Sequence, residues 1–258
     1  MDETLKSYQC VRCGEPADAL FKQYGPSVLK LTKCKCCGGF VDKYVEYDPV
    51  IVMIDLILMS KEAQRHVLYN TEFKAYWKLL ILLVMLETYG MWRRDGLSIN
   101  TYCQHTHNYT QYLPVLLRPS SCVEWTDSPD LFITEKNFYL LFISVSLGVA
   151  AFIASSQFLM SIIPTAKRKY VSLKTLSQAF ALSYVSLSLT LPTLVWGGSA
   201  HYLHYCLVLL YSAGVFYNVY SVVFSRHLLM TSLVLSLSFL SKLHITLSAD
   251  TFLRQFLA

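Results

Sequence analysis

Five of the eight cysteines lie in the first 48 residues, and four of them form two short pairs, Cys10-x-x-Cys13 and Cys34-x-x-Cys37. The pairs stand twenty residues apart, the spacing of a four-cysteine zinc site. Each Cys-x-x-Cys can aim two thiolates at one ion from a tight turn, and Zn²⁺ takes four ligands in a tetrahedron with Zn–S about 2.3 Å. Gly14 and Gly38 follow the two pairs, and glycine tolerates the left-handed backbone that lets amides turn back toward thiolate sulfur. Cys36 is the surplus thiol. It could enter a Cys-x-Cys pairing, but the second knuckle would then lose its shape. Four thiolates leave no open position for water, so the expected zinc is structural. The competing reading is disulfides or inert thiols, and a cytosolic setting disfavours disulfides.

Other residues with chemical potential are scattered. Glu87 sits in a short apolar run, where a carboxylate is expensive unless it is functional or reaches headgroups at the helix end. His105 and His107 alternate in a polar loop with no clear third ligand and read as ordinary loop residues. His201, His204 and Tyr205 stand at the entrance of an apolar run and read as interface anchors. Cys103 and Cys122 could bridge a loop, which spacing alone does not decide. Asn108-Tyr109-Thr110 is a glycosylation sequon. The sequence has no phosphate loop, Gly-x-Ser-x-Gly, His-Glu-x-x-His or Gly-x-Gly-x-x-Gly. The expectation is a protein without catalytic residues, not an enzyme.

The cysteine pairs need a scaffold. Ala19 to Phe21 and Val28 to Thr32 read as short strands around Tyr24-Gly25-Pro26, and Phe40 to Tyr47 alternates as a third strand would. A ribbon this small buries little core and depends on its metal. Residues 1–48 carry seven Lys/Arg and seven Asp/Glu. A neutral segment has no surplus to neutralise phosphates, so nucleic acid is not an expected partner.

The remainder is apolar. The chain of 258 residues is 54% hydrophobic and 15% charged, against about 25% charged for soluble proteins. Val50 to Met59 is apolar but too short to span. Ser60 to Lys78 mixes cations with aromatic and aliphatic residues and reads as an interfacial amphipathic helix. Phe138 to Ile163, Leu176 to Trp196, Tyr202 to Phe224 and Leu228 to Leu247 are candidate spans, with Lys242 snorkelling from the last. Tyr76 to Trp92 is a shorter fifth candidate. Ser144, Gly148, Ala150, Ala154, Ser156, Ser183 and Ser186 would let helices approach closely in lipid. No N-terminal signal peptide is visible, so insertion is expected to rely on internal helices.

The linker Thr165 to Lys169 with Lys174 has four cations and no acid, which places it in the cytosol. Counting back, the acidic segment 93–137 with its sequon falls in a lumen and the cysteine-rich N-terminus in the cytosol. Arg93-Arg94 disagrees, because it lies at the lumenal end of the weakest span. The expected fold is an N-terminal four-cysteine zinc ribbon followed by an α-helical multi-span membrane domain. The parts are a ribbon at 1–48, a hinge and interfacial helical segment at 49–75, and a membrane domain at 76–258 with four to five spans and a lumenal loop near 93–137.

Cys10-x-x-Cys13, then Val28 to Cys37, Val41-Asp42-Lys43-Tyr44-Val45-Glu46-Tyr47-Asp48-Pro49-Val50-Ile51 and Arg65-His66-Val67-Leu68-Tyr69-Asn70 together resemble the homology domain of the Arv family. In that resemblance Cys34 and Cys37 are the matching members of the second pair. The resemblance covers residues 10–70; the rest matches in general character. It implies a multi-pass endoplasmic-reticulum membrane protein with a zinc-binding N-terminal domain. It further implies a role in intracellular sterol distribution, sphingolipid metabolism and glycosylphosphatidylinositol anchor synthesis, with membrane lipids (sterol, sphingolipid or anchor precursor) as partners. The competing expectation is an adaptor whose ribbon docks on a reticulum glycosyltransferase complex, with Tyr44 and Tyr47 as its exposed patch.

Overall fold

A computed structural model describes residues 8–25, 29–92, 131–162, 171–191, 202–224 and 228–257. The expected loop features Asn108, Cys103, Cys122, His105 and His107, the basic linker at 165–169 and His201 lie outside the described residues, as do the side chains of His204 and Tyr205.

The N-terminal part is two small antiparallel hairpins. β1 (Tyr8–Gln9) pairs with β2 (Pro16–Ala17), and β3 (Phe21–Gln23) pairs with β4 (Leu29–Leu31) with Lys22 opposite Lys30. The Val11 amide donates to the Val41 carbonyl at 2.9 Å, and the Val41 amide to Thr32 at 2.8 Å, which stitches the hairpins together. Among the described residues its apolar core is Cys10, Leu20, Cys34 and Val41 with a few half-buried neighbours, beside a second small cluster of Val11 and Tyr44 with Ala63. Strands of two or three residues and a core this small cannot be stable by themselves.

The expected third strand is not one. A single bridge joins Lys33 and Phe40, after which the chain tightens into a 3₁₀ turn, Tyr44–Glu46. The cause is local. Asp42 accepts a hydrogen bond from the Tyr44 amide at 2.9 Å, an Asx-type turn that competes with extended backbone. The turn also carries Tyr44 inward to 2% exposure, so it does not contribute to an exposed patch; Tyr47 remains exposed.

Helix α1 (Pro49–Ile57) starts at a cap: the Asp48 carboxylate accepts from the Val50 amide at 3.0 Å and proline occupies the first turn. It ends in a Schellman turn. Met59 takes a positive φ of 58°, and the Ser60 amide bonds the Asp55 carbonyl at 2.9 Å. Helix α2 (Lys61–Arg65) runs straight into a π turn, His66–Asn70. Ala63, Gln64, His66, Leu68 and Asn70 are all buried there. This departs from the interfacial helix expected over Ser60 to Lys78: its first half is occupied by contacts with the ribbon.

The rest is helical: α3 over residues 76–92, α4 (Leu131–Ile162), α5 (Leu173–Tyr184) with a 3₁₀ extension (Val185–Thr190), α6 (Tyr202–Phe224) and α7 (Leu228–Leu257). Among the described residues three helices are long and apolar enough to cross a membrane: Glu135–Ile162, Cys206–Phe224 and Leu229–Phe256. The run from Leu176 to Trp196 is not one continuous α-helix. It changes pitch after Tyr184, in a segment where the Ser186 and Thr190 hydroxyls bond carbonyls three residues back, and Pro192 follows in sequence.

The small residues divide by face. Ser144, Gly148 and Ser156 are buried, whereas Ala150 and Ala154 point outward. A Cβ added at Gly148 would collide with the Thr246 hydroxyl and stand 3.1 Å from the Lys242 carbonyl, so α4 and α7 approach closely here. Rings fill the centre: Phe152 lies 4.9 Å from Phe180 and 5.0 Å from Phe239, and Phe216 lies 5.0 Å from Phe239, in tilted or edge-to-face geometry. Lys242 does not snorkel. Its ammonium donates to both Glu87 oxygens at 2.8 and 3.0 Å and to the Tyr184 hydroxyl at 2.9 Å. The two charges that weaken α3 and α7 as apolar segments therefore answer each other.

Candidate metal centre

The two knuckles are built alike. In the first, the Cys10 amide bonds the Glu15 carbonyl at 2.8 Å and the Gly14 amide returns to the Cys10 carbonyl at 2.8 Å. In the second, Cys34 bonds Gly39 at 2.7 Å and Gly38 returns to Cys34 at 3.1 Å. Gly14 and Gly38 have φ of 80° and 69°, the left-handed geometry that makes each turn possible without a Cβ clash.

Face to face, the knuckles bring the sulfurs of Cys10, Cys13, Cys34 and Cys37 within 4.8 Å of one another. Cys10 and Cys37 are 3.7 Å apart, and Cys13 and Cys34 are 3.6 Å apart. A tetrahedron with metal–sulfur bonds of about 2.3 Å has edges of about 3.8 Å, close to these two separations. Cys36 is exposed and lies outside this cluster.

The thiols of the cluster differ in how readily they ionise. Backbone amides of Cys37 and Cys36 aimed at the Cys34 sulfur bring its thiol down to about 7. Burial and the neighbouring thiols push Cys13 up to about 12, and burial raises Cys10 as well. The Cys34 thiolate therefore forms readily, while burial holds Cys10 and Cys13 toward the neutral thiol.

A second polar cluster fixes the centre to the helices. Asp42 is fully buried and accepts from three donors: the Tyr44 amide, the Asn70 amide nitrogen at 2.7 Å and His66 Nδ1 at 2.7 Å. Asn70 also brackets β1, donating to the Gln9 carbonyl at 2.9 Å and accepting from its amide at 3.0 Å. The Arg65 guanidinium donates to the carbonyls of Val11 and Arg12 at 2.7 and 2.9 Å, gripping the first knuckle from outside. The π turn presents His66 and Asn70 to the same carboxylate oxygen, and π turns recur at such specialised sites. In the sequence Asp42, Arg65, His66 and Asn70 carry no distinguishing local signal, because they stand among other polar residues and their partners lie 24 to 61 residues away.

No solved structure matches this chain. Among curated proteins, "Protein ARV1" of Mus musculus is 31% identical over 73% of this chain and 63% of its own length, and that of Homo sapiens 32% over 73% and 62%. "Protein ARV 2" of Arabidopsis thaliana is 40% identical over a shorter stretch, 31% of this chain and 38% of its own. The aligned part of this chain thus spans about three fifths of the mammalian relatives. The Arv1-like family pattern matches residues 9–222, so it covers the knuckles, the Asp42 cluster and helices α1 to α6 almost entirely. The chain belongs to the Arv1-like family.

Proposed function

We propose that this chain is a multi-pass membrane protein of the endoplasmic reticulum that serves lipid homeostasis, with Zn²⁺ held by Cys10, Cys13, Cys34 and Cys37 as a structural ion. Its work is the distribution of sterol, the regulation of sphingolipid metabolism and support of glycosylphosphatidylinositol anchor synthesis. It does this by binding or presenting a membrane lipid and carries out no reaction of its own. Family membership across residues 9–222 carries this reading, because the match includes membrane helices as well as the thiol cluster. A cytosolic N-terminus is part of it. In support, the Phe73 carbonyl, three residues past the ribbon clamp, accepts from Gln178 at 2.9 Å, in the helix that follows the four-cation linker.

The four-sulfur set fits zinc in number, softness and spacing. When bound, the ion would supply cross-linking energy to a ribbon whose own core is small.

The adaptor reading has its own support. Phe21, Tyr24, Leu29 and Phe40 are exposed on the hairpin side of the ribbon, at 39 to 68%, a surface suited to a protein partner such as a glycosyltransferase complex.

Native mass spectrometry of the full chain in mild detergent separates the two. A sterol or anchor precursor retained at one per chain is the expected result. Bulk phospholipid alone, with an enzyme subunit co-purifying through the hairpin surface, would replace it with the adaptor.

A further inference from the structure

Helix α1 is apolar on every side. Val52 and Leu56 pack onto Val11, Tyr44 and Ala63, and its one charge, Asp55, turns inward to accept from the Tyr44 hydroxyl at 2.7 Å. The outward face carries Val50, Ile51, Met53, Ile54, Ile57 and Leu58, each 43 to 70% exposed and none polar. A helix that is hydrophobic all round belongs in a core or in lipid, and six contiguous large aliphatic side chains form a patch that monomeric soluble surfaces seldom carry.

Its position identifies what covers it. The end of α1 is pinned to the flank of a candidate span, Cys206–Phe224. The Tyr211 hydroxyl donates to the Ile57 carbonyl at 2.9 Å, Asn218 donates to the Met59 carbonyl, and the Met59 sulfur lies 3.4 Å from where a Cβ on Gly214 would be. Tyr211, Gly214 and Asn218 follow one face of that span, well inside its ends. The apolar face of α1 is therefore continuous with a helix whose own outward residues, Leu207, Leu209 and Leu210, are 57 to 69% exposed. Asp48 precedes α1 and Lys61 follows it, so the ionisable side chains next to it in sequence flank the apolar face and do not interrupt it.

We propose that α1 is an in-plane membrane anchor, seating its outer face in the hydrocarbon of the leaflet on the ribbon's side. At nine residues it is about 13 Å long, too short to cross a core of roughly 30 Å. It fixes the metal centre against the bilayer, since its other face is the floor of the ribbon. This holds whichever lipid, or none, the protein carries.

The test places the photoreactive residue p-benzoylphenylalanine at Met53 or Ile57 of the full chain, one position at a time, in phosphatidylcholine proteoliposomes. Both side chains project outward, and two positions guard against one failing to fold. Leu240, exposed on a candidate span, sets the full yield of lipid adducts, and Tyr24, exposed on the ribbon, sets the background. Illumination is expected to give Met53 and Ile57 a mass gain of one phosphatidylcholine at yields like that of Leu240. A yield at the Tyr24 level, cross-linked dimers, or adducts to other residues of the same chain would each overturn the anchor.

Discussion

The ribbon and the helical bundle are stabilised by opposite means. In the ribbon, few atoms are buried and nearly every contact is directional: four sulfurs around one point, a carboxylate with three donors, a guanidinium on two carbonyls. In the bundle, the contacts are numerous and mostly undirected: rings against rings, and a glycine where two helices cross. The lesson is that removing one group should be catastrophic in the first region and graded in the second. The Glu87–Lys242 pair is the exception within the bundle, since it carries ribbon-like chemistry into an apolar setting.

The sharpest test of that contrast is Cys34→Ser. A structural zinc site contributes on the order of 10 kcal/mol or more in small zinc domains. The variant is expected to lose stoichiometric zinc by elemental analysis and to become protease-sensitive within residues 8–47, while the helical signal persists. Unchanged zinc content would remove the metal from the account.

Next in size is the Glu87–Lys242 pair. Glu87→Gln leaves a half-buried ammonium without its counter-charge and should cost about 3–5 kcal/mol, read as a lowered unfolding temperature in detergent. Adding Lys242→Met should recover most of that loss. A double variant no better than the single one would mean the pair matters only as packing.

Asn70→Ala removes two bonds to Gln9 and one to Asp42. Leaving these buried groups unpaired should cost roughly 2–3 kcal/mol and raise amide exchange in β1 without touching the bundle. Gly148→Val, by contrast, forces a methyl-bearing carbon into the crossing of α4 and α7. About 1–3 kcal/mol of overpacking is expected, with the loss confined to the bundle. If each of these two substitutions loosened the other region as strongly as its own, the two would be one cooperative unit.

The smallest effect belongs to the surface. Lys43 and Glu62 lie 2.6 Å apart, both about one third exposed, and the hydrogen bond to Glu62 raises the Lys43 ammonium above its ordinary range. A raised lysine contributes stability that is present below its unfolded value, about 10.5, and is lost as pH climbs past the folded one. Screened by solvent, the pair should contribute a few tenths of a kcal/mol, up to about 1. Glu62→Gln should flatten that alkaline dependence in urea titrations.

The sequence made the metal centre legible because Cys-x-x-Cys is a local geometric code: two ligands, a turn and a glycine within five residues. The apolar segments were legible for the same reason, being continuous in sequence. What failed to show was non-local. Asp42 reads as one polar residue in an alternating stretch; its turn with the Tyr44 amide is local, but the donors that let its carboxylate be buried, His66 and Asn70, lie 24 and 28 residues away. Glu87 and Lys242 each looked like a flaw in a membrane helix, and their meaning lies in a partner 155 residues distant. The amphipathic pattern of Ser60 to Lys78 was real, but amphipathicity does not say whether the apolar face meets lipid or protein.

The bracket between Asn70 and Gln9 has a consequence for how the chain is made. Synthesis delivers residues in order, at about 5–20 per second. Both cysteine pairs emerge by residue 37, so the sulfurs can gather early. Gln9 and Asp42 must then wait for Asn70 to leave the ribosome before their last partners arrive. Helix α3, which begins at residue 76, follows almost at once. The ribbon therefore becomes complete only as the first bundle helix is about to appear, and a truncation that stops before residue 70 yields a thiol cluster on an unfinished frame.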